Sequence, residues 1–108
     1  MPENHIVVLS TAPDQKSAEN IAAALVEQRL AACVNLLPGV TSIYRWKDEV
    51  KREPECLLLI KTSADRFEAL RQRLRELHPY ELPEIIALAI GAGDPDYLAW
   101  LTESTRPR

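Results

Sequence analysis

The chain reads as an α+β fold of the ferredoxin-like kind: a β-α-β-β-α-β order, one antiparallel sheet with two helices on one face, and a short C-terminal helix. Three observations predict it. Short β-branched apolar runs alternate with segments whose apolar residues recur at helical spacing. The second and third extended runs are separated only by a polar turn, the mark of an antiparallel hairpin. The 108 residues are 46% hydrophobic and 27% charged, which suits a single globular domain spanning 1–108.

The elements follow in order. His5 to Ala12 carries Ile-Val-Val-Leu and reads as a buried strand. Ala12-Pro13-Asp14 breaks it, and Asp14 or Ser17 can cap a helix. Ala18, Ile21, Ala22, Leu25 and Val26 form one apolar stripe, with the helix ending near Leu30. An extended region runs from Ala32 to about Val50, interrupted by a bulge or bend at Pro38-Gly39. The polar stretch Lys47 to Pro54 is expected to hold the turn, and Cys56 to Thr62 the third strand. A second helix, Asp65 to Leu77, aligns Phe67, Leu70, Leu74 and Leu77. Pro79 and Pro83 force extended backbone after it. Ile85 to Ile90 is the fourth strand. Asp94-Pro95-Asp96 opens the last helix, whose contacts are Tyr97, Leu98 and Leu101 with Trp100 beside them, and Thr105 to Arg108 is a frayed tail.

Charge and cysteine content narrow the function classes. Thirteen Lys+Arg against sixteen Asp+Glu give a net charge of -3, the opposite of a nucleic-acid footprint. No apolar run approaches the ~18–20 residues that span a bilayer. The opening Met-Pro-Glu-Asn-His lacks the character of a secretory signal, so a cytoplasmic protein is expected. Cys33 and Cys56 lie in apolar runs outside any C-x-x-C pair and read as packed thiols. No G-x-S-x-G, H-E-x-x-H or Gly-rich phosphate loop is present, so no catalytic residue is assigned and no enzyme is expected.

The long hairpin points to self-association. Residues 32–50, fully extended, reach about 60 Å. A domain of this size is only about 35 Å across. The hairpin therefore bends at Pro38-Gly39 or projects, and a projecting hairpin with Ile43, Tyr44 and Trp46 exposes apolar surface that another copy can cover. Ile43 and Trp46 are the expected subunit-contact residues.

Four stretches carry a family resemblance: Thr11-Ala12-Pro13-Asp14; Ala31-Ala32-Cys33-Val34-Asn35 with Pro38-Gly39-Val40 and Ser42-Ile43-Tyr44-Arg45-Trp46; Glu55 with Leu58-Leu59-Ile60-Lys61-Thr62; and His78-Pro79-Tyr80-Glu81 with Pro83-Glu84-Ile85 and Asp96-Tyr97-Leu98-Ala99-Trp100. In this combination, over about residues 5–104, the sequence resembles the CutA family of divalent-cation tolerance proteins. The resemblance implies a tight homotrimer similar in architecture to the PII signalling proteins, and a response to copper and other divalent metal ions. Some members implicated in copper binding carry a cysteine where this chain has Ser10 and a second histidine where it has Leu77.

The chemistry-bearing residues each admit two readings. His78 is the candidate metal ligand, since imidazole suits copper; at a helix end it also serves as a cap. Glu81 and Glu84 offer oxygen ligands to harder divalent ions or a solvated loop. Together with Tyr44, Lys61, His78 and Tyr80 they resemble the family's inter-subunit cleft, which suits a small anionic or zwitterionic ligand; Lys61 is otherwise a paired residue of the subunit contact. His5 with the terminal amine is a candidate for adventitious Cu(II) chelation. Two functions follow: weak binding of copper or another divalent cation in a homotrimer, or a PII-like signalling trimer that binds a small molecule in the cleft.

Overall fold

A computed structural model describes residues 4–108. Its elements are β1 (His5–Ala12), α1 (Gln15–Glu27), β2 (Cys33–Trp46), β3 (Glu49–Ser63), a single 3₁₀ turn (Ala64–Arg66), α2 (Phe67–Leu77), β4 (Ile86–Ala89) and α3 (Pro95–Ser104). The sheet order is β2-β3-β1-β4, and every neighbouring pair is antiparallel. This is the expected ferredoxin-like α+β arrangement.

Period-two alternation decides which side of the sheet is packed. Ile6, Val8 and Ala12 of β1 and Cys56, Leu58 and Ile60 of β3 point to one side, where α1 and α2 lie. Ala18, Ile21 and Leu25 from α1 and Leu70 and Leu74 from α2 complete this core, with Phe67 and Leu77 at its margin. Each fully buried leucine contributes roughly 1.5–3 kcal/mol. Val26, read as part of the stripe of α1, is 42% exposed at its edge. The opposite sheet face has no helix over most of its area. It carries half-buried Val7, Leu9, Leu57 and Leu59 and exposed Leu37, Ile86 and Leu88.

Helix ends follow from local chemistry. Asp14 accepts the Ser17 N–H at 2.7 Å and starts α1, which holds its carboxyl below the usual range. After α1 the chain reverses through Arg29 at φ 61, a left-handed residue. Its guanidinium donates to the carbonyls of Glu103 and Arg106, each at 2.7 Å, and so caps α3 from outside. Thr105 is fully buried and bonds Ser63 Oγ at 2.7 Å, while Arg106 reaches Asp65 at 3.1 Å. The segment after α3 is thus held by side chains as far as Arg106 rather than frayed.

The hairpin differs most from expectation. The turn is Lys47-Asp48 alone, and Glu49 to Pro54, expected within the turn, is strand paired with Thr41–Trp46. Lys47 and Asp48 have φ 51 and 67, the two left-handed residues of a tight hairpin turn. Pairing persists because the alternating charged and β-branched residues tolerate an exposed two-stranded ribbon. The register shifts between Leu37 and Val40, with Gly39 at φ 80 taking the bulge. The ribbon lengthens the molecule to 44 Å against 26 and 23 Å in the other directions. Because left-handed backbone costs a non-glycine residue roughly 1–2 kcal/mol, Asp48→Gly is expected to stabilise the hairpin by about 0.5–1 kcal/mol after glycine's entropic cost. Chemical denaturation measures it, and an unchanged or lowered midpoint contradicts the strain argument.

Candidate functional site

Pro79 creates the site. It denies His78 a helical backbone, so α2 stops and His78 turns extended, at φ -81 and ψ 136. The chain then passes the end of β1, and His78 sinks in beside Thr11 with 7% of its surface exposed. Its Nε2 lies 2.7 Å from the Thr11 carbonyl oxygen, which only accepts, so Nε2 carries the proton. Nδ1 is then the acceptor, and the Tyr80 N–H donates to it at 3.1 Å. Both ring nitrogens are therefore engaged in the neutral tautomer. Burial pushes the imidazole below its ordinary pKa, against the opposing pull of the Thr11 carbonyl and the Glu55 charge.

Tyr80 carries the connection onward. Its ring is 4.8 Å from that of His78, and its hydroxyl donates to Glu55 Oε2 at 2.5 Å. Burial and the Glu55 carboxylate drive the phenol well above its usual range, so it remains a donor at any physiological pH. Glu55 opens the buried part of β3 and is only 8% exposed. A chain of contacts thus joins β1, the segment after α2, and β3.

Above these groups lies a cleft of about 750 Å³, within the size range of small-molecule sites. Thr11, Glu55 and Tyr80 line it together with Ser42 to Trp46 of β2 and Pro79, Glu81, Leu82 and Glu84. Of the expected cleft residues, Tyr44, Tyr80, Glu81 and Glu84 come together here. His78 stands behind the wall and positions Tyr80. Lys61 is not among the residues lining this cleft. It lies six residues along β3 from Glu55, about 20 Å at strand spacing, opposite Val7 and Cys33 on the helix-free sheet face. Ile43 and Trp46, expected at a subunit contact, also line the cleft. Glu55, Thr11 and Arg45 line it without a sequence expectation of that role. Glu55 was detectable in principle: it shares strand parity with Leu57, Leu59 and Lys61 while standing at the polar end of an apolar run.

The other metal candidates are dispersed. Among the described residues, no three His, Cys, Asp or Glu side chains are grouped to hold a metal ion. Cys33 and Cys56 are free; Cys56 is buried toward the helices, and Cys33 lies on the other sheet face. Burial pushes the Cys56 thiol up, toward an inert form. His5 Nε2 contacts Thr102 Oγ1 at 2.8 Å, and the terminal-amine half of the chelate considered for it lies outside the described residues. Ser10 is fully buried with its hydroxyl unpartnered among the described residues.

Comparison with known proteins agrees with this architecture. The family model described as CutA1 divalent ion tolerance protein matches residues 6–104. The divalent-cation tolerance protein CutA of Thermus thermophilus is 56% identical over 99 residues, covering 92% of this chain and 96% of that protein. The crystal structure of CutA from Xylella fastidiosa superposes with a TM-score of 0.93 at 46% identity, covering 95% of this chain and 99% of that one. A structure from Archaeoglobus fulgidus, described as a periplasmic divalent cation tolerance protein CutA, has a TM-score of 0.92 at 33% identity, covering 94% and 99%.

The His78 connection generates two expectations. An unfolded imidazole takes its proton near pH 6.5, whereas the folded one resists it. The stability contributed by neutral His78 is therefore full above about pH 6.5 and is lost as pH falls through the lower folded value. The melting temperature should drop between pH 7 and 5, and His78→Gln should flatten that slope; an equal slope in both proteins rejects the assignment. Tyr80→Phe strips the buried Glu55 of its donor and is expected to cost about 1–3 kcal/mol in denaturant unfolding.

Proposed function

The chain belongs to the CutA1 divalent ion tolerance family, and from that premise we propose a homotrimer that serves divalent-cation tolerance by binding copper or a similar divalent cation weakly. The observation that carries the metal reading is the placement of His78 beside a cleft with the carboxylates Glu81 and Glu84. Nδ1 becomes a ligand only when the Tyr80 N–H is released, a net cost on the order of 1 kcal/mol. Binding that first breaks a hydrogen bond and then finds few converging donors is weak and readily reversed. Such a site fits a protein that meets metal transiently, in a binding rather than a catalytic role.

The trimer reading rests on surface. Leu37, Ile43, Val50, Ile86 and Leu88 are 45–67% exposed on the helix-free face and on the ribbon. This much open apolar surface, with two free sheet edges, favours covering by further copies. Lys61 sits on that face, so it joins a ligand cleft only across a subunit boundary or pairs within the contact. No helix among the described residues is long and apolar enough to cross a membrane. The two free thiols suit a reducing compartment, and the cytoplasm is our proposed location.

A second reading is favoured by the cleft itself. Its volume and its tyrosine and tryptophan walls exceed what a bare ion requires, and suit a PII-like trimer that senses a small molecule.

Native mass spectrometry of reduced protein titrated with Cu²⁺ and Zn²⁺ tests both parts of the first reading. The expected result is a trimer with saturable, weak metal uptake that disappears in His78→Ala. Uptake that is absent, or that is lost with His5→Ala instead, overturns the metal site. Ile43→Glu should shift the trimer toward smaller species on dilution and make melting more dependent on concentration; an unaltered mass at nanomolar protein rejects the ribbon as a contact.

A further inference from the structure

We propose that the cleft between the ribbon and the segment after α2 binds a small organic ammonium ion, held by the Glu55 carboxylate at its floor and by the aromatic faces of Tyr44 and Trp46 at its wall. The proposal rests on the reading of this cleft as a ligand site and names the class of ligand.

Glu55 is the first argument. It is more than nine-tenths buried and lines the cleft. Oε2 accepts the Tyr80 hydroxyl, while Oε1 has no hydrogen-bond partner among the described residues. No ion pair joins Glu55 to any lysine or arginine among those residues. Oε1 is not sealed from solvent, so the carboxylate presents it to the cleft, where a delivered cation pairs with it. The surrounding charge has the matching sign: Glu81 and Glu84 line the same cleft, against Arg45 as the one cationic residue among the described residues that line it.

The walls supply the second argument. Tyr44, Trp46 and Tyr80 present aromatic surface to the cleft. Cations favour the negative faces of such rings within about 6 Å. This chain already places one there, since Lys47 Nζ stands 5.7 Å from the centre of the Trp46 ring. An anionic ligand would face three carboxylates. A bare divalent ion would require several converging donors, and no such group occurs among the described residues. An alkylammonium satisfies both features: its N–H groups or positive methyls meet Glu55 Oε1, and its carbon chain uses the aromatic wall.

The test is fluorescence titration of full-length Trp100→Phe protein, in which Trp46 is the sole tryptophan. Trp100 lies on α3, half exposed against Tyr97 and away from the cleft. The probes are n-butylammonium, tetramethylammonium, butyrate and Mg²⁺, each at constant ionic strength. Saturable change with either ammonium and none with butyrate is expected, with affinity about tenfold weaker in Glu55→Gln. Isothermal titration calorimetry of the unsubstituted protein repeats the panel, so a poorly folded Glu55→Gln does not decide the matter. No saturable response to either ammonium overturns the proposal, including the case where a neighbouring subunit fills the cleft. Equal binding of butyrate, or of Mg²⁺ alone, also overturns it. Copper uptake through His78 without any ammonium binding would leave the metal reading standing and remove this one.

Discussion

The imidazole of His78 commits its two nitrogens to different parts of the chain, and the cleft depends on that division. One nitrogen fixes the end of β1 through the Thr11 carbonyl, and the other fixes the backbone at Tyr80. With Tyr80 held, its hydroxyl is delivered to Glu55 on β3. Three segments far apart in sequence thereby acquire one geometry. A lysine supplies only donors and a glutamine holds its donor and acceptor at the end of a flexible chain, whereas neutral imidazole offers one of each at opposite sides of a rigid ring. The same arrangement limits metal chemistry, because the lone pair that would bind copper is already in use.

The two faces of the sheet divide the remaining work. The helix-facing side is densely packed and contains Ser10 as an unpartnered hydroxyl. The other side is apolar without being covered, and Lys61 is set within it. A chain built this way has stability to gain from covering that face. The cleft at Glu55 is lined by residues of one chain, and Lys61 lies apart from it on the uncovered face.

Much of this is legible in the sequence. β1 is recovered at both bounds because an uninterrupted apolar run meets a Pro-Asp stop. α2 is recovered because Leu70 and Leu74 repeat at helical spacing ahead of a proline. β2 stops earlier, and β3 begins earlier, than the sequence suggests. Lys51, Arg52, Glu53 and Pro54 read as turn residues, since composition does not distinguish a loop from a solvent-exposed strand pair whose order comes from backbone bonds. Four cleft residues follow from family likeness, and Lys61 is grouped with them although strand spacing separates it from Glu55 within one chain. Glu55 enters through the family resemblance but not as a cleft residue, because its partner there is Tyr80, a contact across 25 residues, and strand parity gives only its face.

The strand order has a consequence for how the molecule is made. β1 precedes β3 and β4 in the chain, yet it lies inside the sheet between them. Its partners are residues 56–63 and 86–89, so one edge stays open until β3 is made and the other until β4 follows. The ribbon of β2 and β3 can pair locally in microseconds, but capture of β1 closes a loop of more than forty residues. Folding is therefore governed by a late, non-local step. A nascent chain stalled before β4 displays an apolar strand with one unpaired edge, which makes the synthesis of β4, more than helix formation, the event that protects this protein from aggregation.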